Sequence, residues 1–194
     1  MKLKLAINGF GRIGRNVLRS IFESGRKDIE VIAINDPAPV ETNAHLLKYD
    51  SVHGSVSTDV TVSNNMINVA GVAISCTSIL DPSKIVWKDV DIVLECTGKF
   101  TDKNQASMHL QGGSKRVLIS APSKDADKTI VYGVNHSSIG PEDIIVSNAS
   151  CTTNCLAPIA KVLHENCGIK KGFMTTIHSY TGDQPVLDLN HKDL

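Results

Sequence analysis

The segment Ser147-Asn148-Ala149-Ser150-Cys151-Thr152-Thr153-Asn154-Cys155 sets a cysteine directly behind a serine. A serine hydroxyl accepts hydrogen bonds from the free amides of a first helical turn, so Ser150 reads as an N-cap and Cys151 as the first helical residue. A thiol at that position feels the positive end of the helix dipole, which favours the thiolate. His178 follows 27 residues later (178 − 151), at the end of the next expected strand. An imidazole within reach of the sulfur makes such a cysteine a nucleophile toward carbonyl carbon at neutral pH. By position alone Cys151 divides evenly between structure and catalysis. Cys-x-x-x-Cys lacks the second ligand pair of a metal centre. Cys155, one turn further on, reads as a buried small hydrophobe, and His45, His53, His109, His136, His164 and His191 read as structural or surface residues.

A second chemical signal lies near the N-terminus. Gly9-Phe10-Gly11-Arg12-Ile13-Gly14 has the spacing G-x-G-x-x-G, and Asp36 stands 22 residues after Gly14 (36 − 14). The glycine spacing alone is weak, but here it leaves an expected strand, opens an expected helix and precedes an acid at the end of the next strand. In that setting Gly9 permits a tight turn, Gly11 lets backbone approach a pyrophosphate, and Gly14 lets helix and strand pack closely. Amides at the helix start then hold phosphate. A carboxylate accepts from a ribose 2′-hydroxyl and repels a 2′-phosphate, so Asp36 selects NAD over NADP as the expected cofactor. The competing reading is a plain strand-to-helix turn with Asp36 as a loop acid.

These residues need a scaffold, and the periodicity supplies one. Leu3 to Asn8 and Ile29 to Asn35 are near-continuous apolar runs, as in parallel strands covered on both faces. Between them Ile13, Val17, Leu18 and Ile21 repeat at helical spacing, with Gly25 as a stop. Val60, Val62, Ile67, Val69, Val72 and Ile74 alternate with polar residues around turns at Asn64-Asn65 and Gly71, which predicts an antiparallel excursion. Further strands are expected at 91–96, 116–120, 129–131 and 144–147, with a helix between Asp102 and Leu110. The fold class is therefore α/β, a doubly wound, mostly parallel sheet. A helix from Cys151 to Glu165 ends at Gly168 and contains Pro158, and a strand over 172–179 follows. Residues 1–150 are expected to form the dinucleotide-binding domain, and residues 151–194 the incomplete start of an α+β catalytic domain.

Composition narrows the function classes. The 194 residues carry 20 basic and 20 acidic side chains, so no chain-wide basic footprint for nucleic acid exists. Aromatic residues make up only 4%, too few for base-stacking platforms. No apolar run approaches the ~20 residues of a membrane span. Five cysteines, an odd number, with no leader-like start suggest free thiols in a reducing cytoplasm.

The blocks Ala6 to Arg15, Leu46 to Gly54, Ser147 to Cys155 and His178-Ser179-Tyr180-Thr181 together resemble the phosphorylating glyceraldehyde-3-phosphate dehydrogenase family, and the resemblance runs along essentially the whole chain. It implies that Cys151 attacks an aldehyde, that His178 is the base, and that a thioester on Cys151 is cleaved by inorganic phosphate. The amide of Cys151, together with His178, would steady the oxyanion. Ser150, Thr152 and Thr181 match positions holding substrate or inorganic phosphate. Arg12 and Ile13 match pyrophosphate and nicotinamide positions, and Thr97, Gly98 and Ser120 match others lining the cofactor. The resemblance further implies a triose phosphate substrate, a glycolytic role and a homotetramer. Pro37, Leu80, Pro185 and Asn190 depart from residues common in the family. Family members continue past the position of Leu194, so the sequence reads as part of a longer enzyme. A noncatalytic NAD-binding fragment, an erythrose 4-phosphate dehydrogenase and a Cys–His hydrolase stand as alternatives, the dinucleotide motif arguing against the last.

Overall fold

The computed structural model describes residues 2–181; Pro185, Asn190 and His191 lie outside them. β1 (Leu3–Asn8) leads through the glycine turn into α1 (Arg12–Glu23), and β2 (Ile29–Asn35) lies parallel to β1. Then come α2 (Val40–Lys48), the short hairpin β3 (Tyr49–Asp50) and β4 (Gly54–Ser55), and the meander β5 (Val60–Ser63), β6 (Met66–Val69) and β7 (Val72–Thr77). β8 (Ile92–Glu95), α3 (Lys103–Ala106), α4 (Met108–Gln111), β9 (Arg116–Ile119), β10 (Lys128–Thr129), β11 (Ile145–Ser147) and α5 (Cys151–Cys167) complete the elements of the described residues, with 3-10 turns at Pro82–Lys84 and His136–Ser138.

Nine of the eleven strands among the described residues form one sheet in the order β10-β11-β9-β8-β1-β2-β7-β6-β5, and β3 and β4 pair apart from it. From β10 to β7 all neighbours are parallel, and β6 and β5 extend the edge as an antiparallel meander. The chain runs outward from β1 through β2 to β7, then returns to place β8 on the other side of β1. The crevice where the order reverses is where a doubly wound sheet binds ligands, outside the carboxyl ends of its strands.

Alternation along the central strands serves two cores. Leu5 and Ile7 join Phe10, Leu18, Ile34, Leu47, Ile67, Ile74 and Leu94 on the face covered by α1 and α2. Ala6 and Val93 face the opposite way with Ile85, Trp87 and Val90. A third cluster, Ala106, Val117, Ile119 and Ile145, seats α3 against β9 and β11. The β5–β6 turn has Asn64 and Asn65 at φ 49° and 57°, the left-handed pair that matches strand twist in a two-residue hairpin.

Several expectations shift. The helix foreseen between Asp102 and Leu110 is two single turns, α3 and α4, meeting at Ser107, with the Asp102 side chain capping the first. α2 was not foreseen, because Val40, Ala44 and Leu47 make a thin apolar stripe among polar residues. α5 runs through Pro158 to Gly168, whose φ is +70°. The expected strand over 172–179 is absent: these residues make no ladder, and Phe173 and Ile177 are fully exposed. A strand exists by pairing, and among the described residues no partner lies beside this segment. For a related reason Cys155 is exposed rather than buried. No residue of α5 is buried, and Leu156, Ile159, Val162 and Leu163 all face solvent among the described residues.

Gly14 shows how closely α1 sits on β1. A Cβ there would lie 2.3 Å from the Gly9 carbonyl oxygen and 2.9 Å from Ile7. Gly14→Ala should therefore lower stability by about 1–3 kcal/mol through overpacking, read as a lower urea midpoint with an unchanged m value.

Candidate active site

The glycine turn is built by backbone contact. Gly9 has φ +87°, and a Cβ on it would lie 2.7 Å from the amide of Thr97, the residue two beyond β8. Gly9 and Gly14 are thus demanded by the fold's own packing. Gly11 is not. Its φ is −68°, open to any residue, and a Cβ there would meet nothing within 4 Å. The space above Gly11 is the observation that fits a pyrophosphate, since a glycine the fold does not need leaves room for something outside it.

Asp36 ties this turn to β2. One carboxylate oxygen accepts from the Phe10 amide at 2.7 Å, and the other from the Ala38 amide at 2.9 Å. Arg15 donates to the Phe10 carbonyl at 2.8 Å, so the backbone of Phe10 is held on both sides. Asp36 is half-buried and borders a cavity of about 250 Å³ with Gly9, Gly11, Leu80, Thr97 and Phe100. The loop-acid reading and the ligand reading are therefore not exclusive: Oδ1 also accepts from Asn43 Nδ2 at 3.4 Å, but the oxygen that meets Phe10 keeps a second lone pair for a hydroxyl. Arg12 turns its guanidinium to Asp50 at 3.0 Å, so the side chain is engaged with the β3–β4 hairpin and only its backbone belongs to the helix start. Gly98, at φ +70°, turns the chain after Thr97.

A second cavity of about 350 Å³ lies on the far side of the glycine turn. Ile13, Leu94, Cys96, Leu118, Ser120, Asn148, Ser150 and Cys151 are among its walls. Cys96 borders both cavities, so the two flank one strand end and an extended ligand crossing the turn would reach from Asp36 to Cys151. Burial pushes the Cys96 thiol up to about 11, which leaves it protonated and inert.

Cys151 differs. β11 ends in Ser147, whose hydroxyl donates to the Ala121 carbonyl and accepts from the Ala149 amide. Ala149 takes φ +58°, a left-handed conformation costly for any residue with a Cβ. Such local strain concentrates at functional turns. The turn delivers Ser150 as N-cap, its hydroxyl accepting from the Thr153 amide at 3.0 Å, and Cys151 as the first helical residue. Asn154 braces the turn by donating to the carbonyls of Asn148 and Ser150. The amide of Cys151 has no acceptor inside the helix, as in every first turn.

His178 Nε2 lies 3.0 Å from the Cys151 sulfur. A carbonyl oxygen can only accept, so the contact between His178 Nδ1 and the Ser179 carbonyl puts a proton on Nδ1 and aims Nε2 at the thiol. The hydrogen bond to His178 lowers the Cys151 pKa, helped by the amide of Thr152. The Ser179 carbonyl raises that of His178, and the Cys151 contact adds to it. The pair is thus biased toward thiolate and imidazolium. Thr152 adjoins the thiol and Thr181 is exposed three residues beyond His178. Glu95 has no reading from sequence, and His109 takes the structural one; both side chains are fully buried beneath the crevice. The one available signal was an ionisable residue inside an otherwise apolar strand.

A doubly wound sheet with a glycine turn at its switch point defines the dinucleotide-binding class of α/β protein, here with a Cys–His pair beside the same crevice. The family model for the glyceraldehyde 3-phosphate dehydrogenase NAD binding domain matches residues 3–103, and that for the C-terminal domain of the same enzyme matches residues 150–194. Over the whole chain the sequence is 63% identical to the glyceraldehyde-3-phosphate dehydrogenase of Cereibacter sphaeroides and 61% identical to that of Xanthobacter flavus. Identity to the enzyme of Geobacillus stearothermophilus is 54%. The chain spans 58% of the length of each of these relatives. It belongs to the glyceraldehyde-3-phosphate dehydrogenase family.

Two outcomes check the site. Gly11→Ala should weaken NAD binding by about tenfold or more while costing the fold no more than about 1 kcal/mol, the scale of a helix-cap change; titration calorimetry and urea unfolding report the two. Alkylation of Cys151 by iodoacetamide should have its pH midpoint below the ordinary thiol range, because the thiolate reacts and its pKa is lowered. His178→Ala should move that midpoint upward and slow alkylation at neutral pH by about tenfold.

Proposed function

We propose that the protein oxidises and phosphorylates D-glyceraldehyde 3-phosphate with NAD and inorganic phosphate, yielding 1,3-bisphosphoglycerate through a thioester on Cys151. The observation that carries the reading is the 3.0 Å approach of His178 Nε2 to a thiol at a helix N-terminus, on the wall of a cavity shared with Ile13 and Ser120. Residues 1–150 form the cofactor unit in this reading, and residues 151–194 begin the catalytic one.

Asp36 accepts from the ribose, the amides following Gly11 hold the pyrophosphate, and Ile13, Thr97, Gly98 and Ser120 line the rest of the cofactor's path. When bound, NAD supplies the two-electron acceptor for the aldehyde's hydride. The Cys151 thiolate forms a C–S bond to the aldehyde carbon, and the oxygen becomes an oxyanion steadied by the Cys151 amide and the His178 Nε2–H. Proton transfer from Nε2 gives a hemithioacetal. As its carbon is oxidised, Nε2 takes the hydroxyl proton back and the acyl group stays on sulfur as a thioester. A phosphate oxygen then attacks the acyl carbon, the C–S bond breaks and Cys151 leaves as thiolate. Ser150, Thr152 and Thr181 hold substrate or attacking phosphate. Family membership supports a homotetramer and a glycolytic role in the cytoplasm, a setting in keeping with five free thiols. Among the described residues no helix is long and apolar enough to cross a membrane.

The test is intact mass after mixing protein, NAD and glyceraldehyde 3-phosphate without phosphate. One acyl adduct should appear on the wild type and vanish when inorganic phosphate is added. Cys151→Ser should bind NAD and carry no adduct, because a serine hydroxyl is a far weaker nucleophile at neutral pH. An adduct on the serine variant would overturn the assignment, and NAD binding with no adduct on the wild type would mark a noncatalytic module.

A further inference from the structure

We infer that Glu95 is a positioning residue for the cofactor cavity, acting through Thr97; the inference rests on the NAD reading of that cavity. Glu95 ends β8 at the switch beside β1, and its side chain is completely buried. One carboxylate oxygen accepts from Asn8 Nδ2 at 2.7 Å and from His109 Nε2 at 2.8 Å. The other accepts from the Thr97 amide at 2.8 Å and from the Thr97 hydroxyl. The carboxylate therefore has a core side and a cavity side.

The core side cannot reverse. Trp87 Nε1–H, which can only donate, is 3.0 Å from His109 Nδ1, so that nitrogen accepts and Nε2 carries the proton toward Glu95. Asn8 Oδ1 accepts from Asn35 Nδ2 at 2.8 Å, which turns the Asn8 amide nitrogen toward Glu95. Asn35 is held in turn, its oxygen accepting from the Thr77 hydroxyl and the Ile79 amide, each at 2.8 Å. On the cavity side the Thr97 amide can only donate, while the Thr97 hydroxyl, whose oxygen also accepts from the Lys99 amide at 3.1 Å, can turn its proton.

Thr97 is the residue whose amide Gly9 approaches too closely to allow a Cβ, and both border the cavity with Gly11 and Asp36. Glu95 thus sets the height of the Thr97 turn against the glycine turn without touching the cavity, since its side chain is wholly enclosed. A glutamine has one acceptor oxygen. Two pinned donors on the core side hold that oxygen there, so the amide nitrogen must face the Thr97 amide, donor against donor. Glu95→Gln therefore disturbs the cavity side and spares the Trp87 side.

The experiment is NAD titration by calorimetry, well below the unfolding temperature, with Trp87 emission followed in parallel; Trp87 is the chain's single tryptophan. Glu95→Gln should raise the NAD Kd about tenfold, the scale of one or two lost hydrogen bonds, with Trp87 emission unchanged. Thr97→Val should raise it about threefold and Thr97→Ser should restore it. The Glu95→Gln, Thr97→Val double variant should bind no more than about twofold more weakly than Glu95→Gln alone, because the Glu95–Thr97 contact is already broken and only the exposed Lys99 amide loses a further acceptor. An unchanged Kd in folded Glu95→Gln, additive effects, or a Kd change accompanied by altered Trp87 emission overturns the inference in favour of a purely structural network. If Glu95→Gln does not fold, wild-type affinity in Thr97→Val overturns it. Failure of the unmutated chain to bind NAD is a separate result that overturns the cofactor reading and this one with it.

Discussion

The backbone contact between Gly9 and Thr97, at the point where the sheet reverses its order, is the constraint on which the rest of the site hangs. Two strand ends must come close enough to form one floor, yet neither end can spend its outward-facing amides on the other. Gly9 meets the first condition by having no Cβ, so that the carbonyl end of β1 lies directly against the residue leaving β8. The buried carboxylate of Glu95 meets the second by gathering Asn8 and Thr97 from below. The amides that open α1 have no side-chain cap, which is the condition for holding an anionic group at a fixed depth above this floor.

Burying a carboxylate this way is costly unless every lone pair is used. Here the cost is offset by four donors, and the network continues outward to Trp87 on one side and to Thr77 and Ile79 on the other. A polar network of this completeness also imposes uniqueness. With Asn8, Asn35 and His109 each pinned in one orientation, β1, β2 and β8 cannot slide in register without leaving a donor unpaired.

The thiol site depends on a different device. Cys151 is not activated by burial, which would raise its pKa as it does that of Cys96. Its environment is open, and the bias comes from a helix start and an oriented imidazole. The two cysteines border the same cavity and differ only in what surrounds the sulfur. That contrast explains how one chain can carry an inert thiol and a reactive one on the walls of one cavity.

Much of this is legible in the sequence. The glycine spacing, Asp36 and the apolar runs around them specify a strand–turn–helix–strand unit, because each rests on local sterics or period, and β1 and β2 begin and end where those runs do. Ser150 as a cap and Asn64-Asn65 as a hairpin turn follow equally from local hydrogen bonding and allowed φ. What tertiary structure alone decided are matters of partnership. Cys155 and residues 172–179 look apolar enough to be buried and paired, but burial and pairing belong to neighbours, and among the described residues no strand pairs with that segment and nothing buries Cys155. Arg12 found Asp50, and Glu95 found Asn8, His109 and Thr97, across separations in sequence that no local pattern encodes. Residue type and spacing determine what a side chain can do; long-range packing determines which group it does it to.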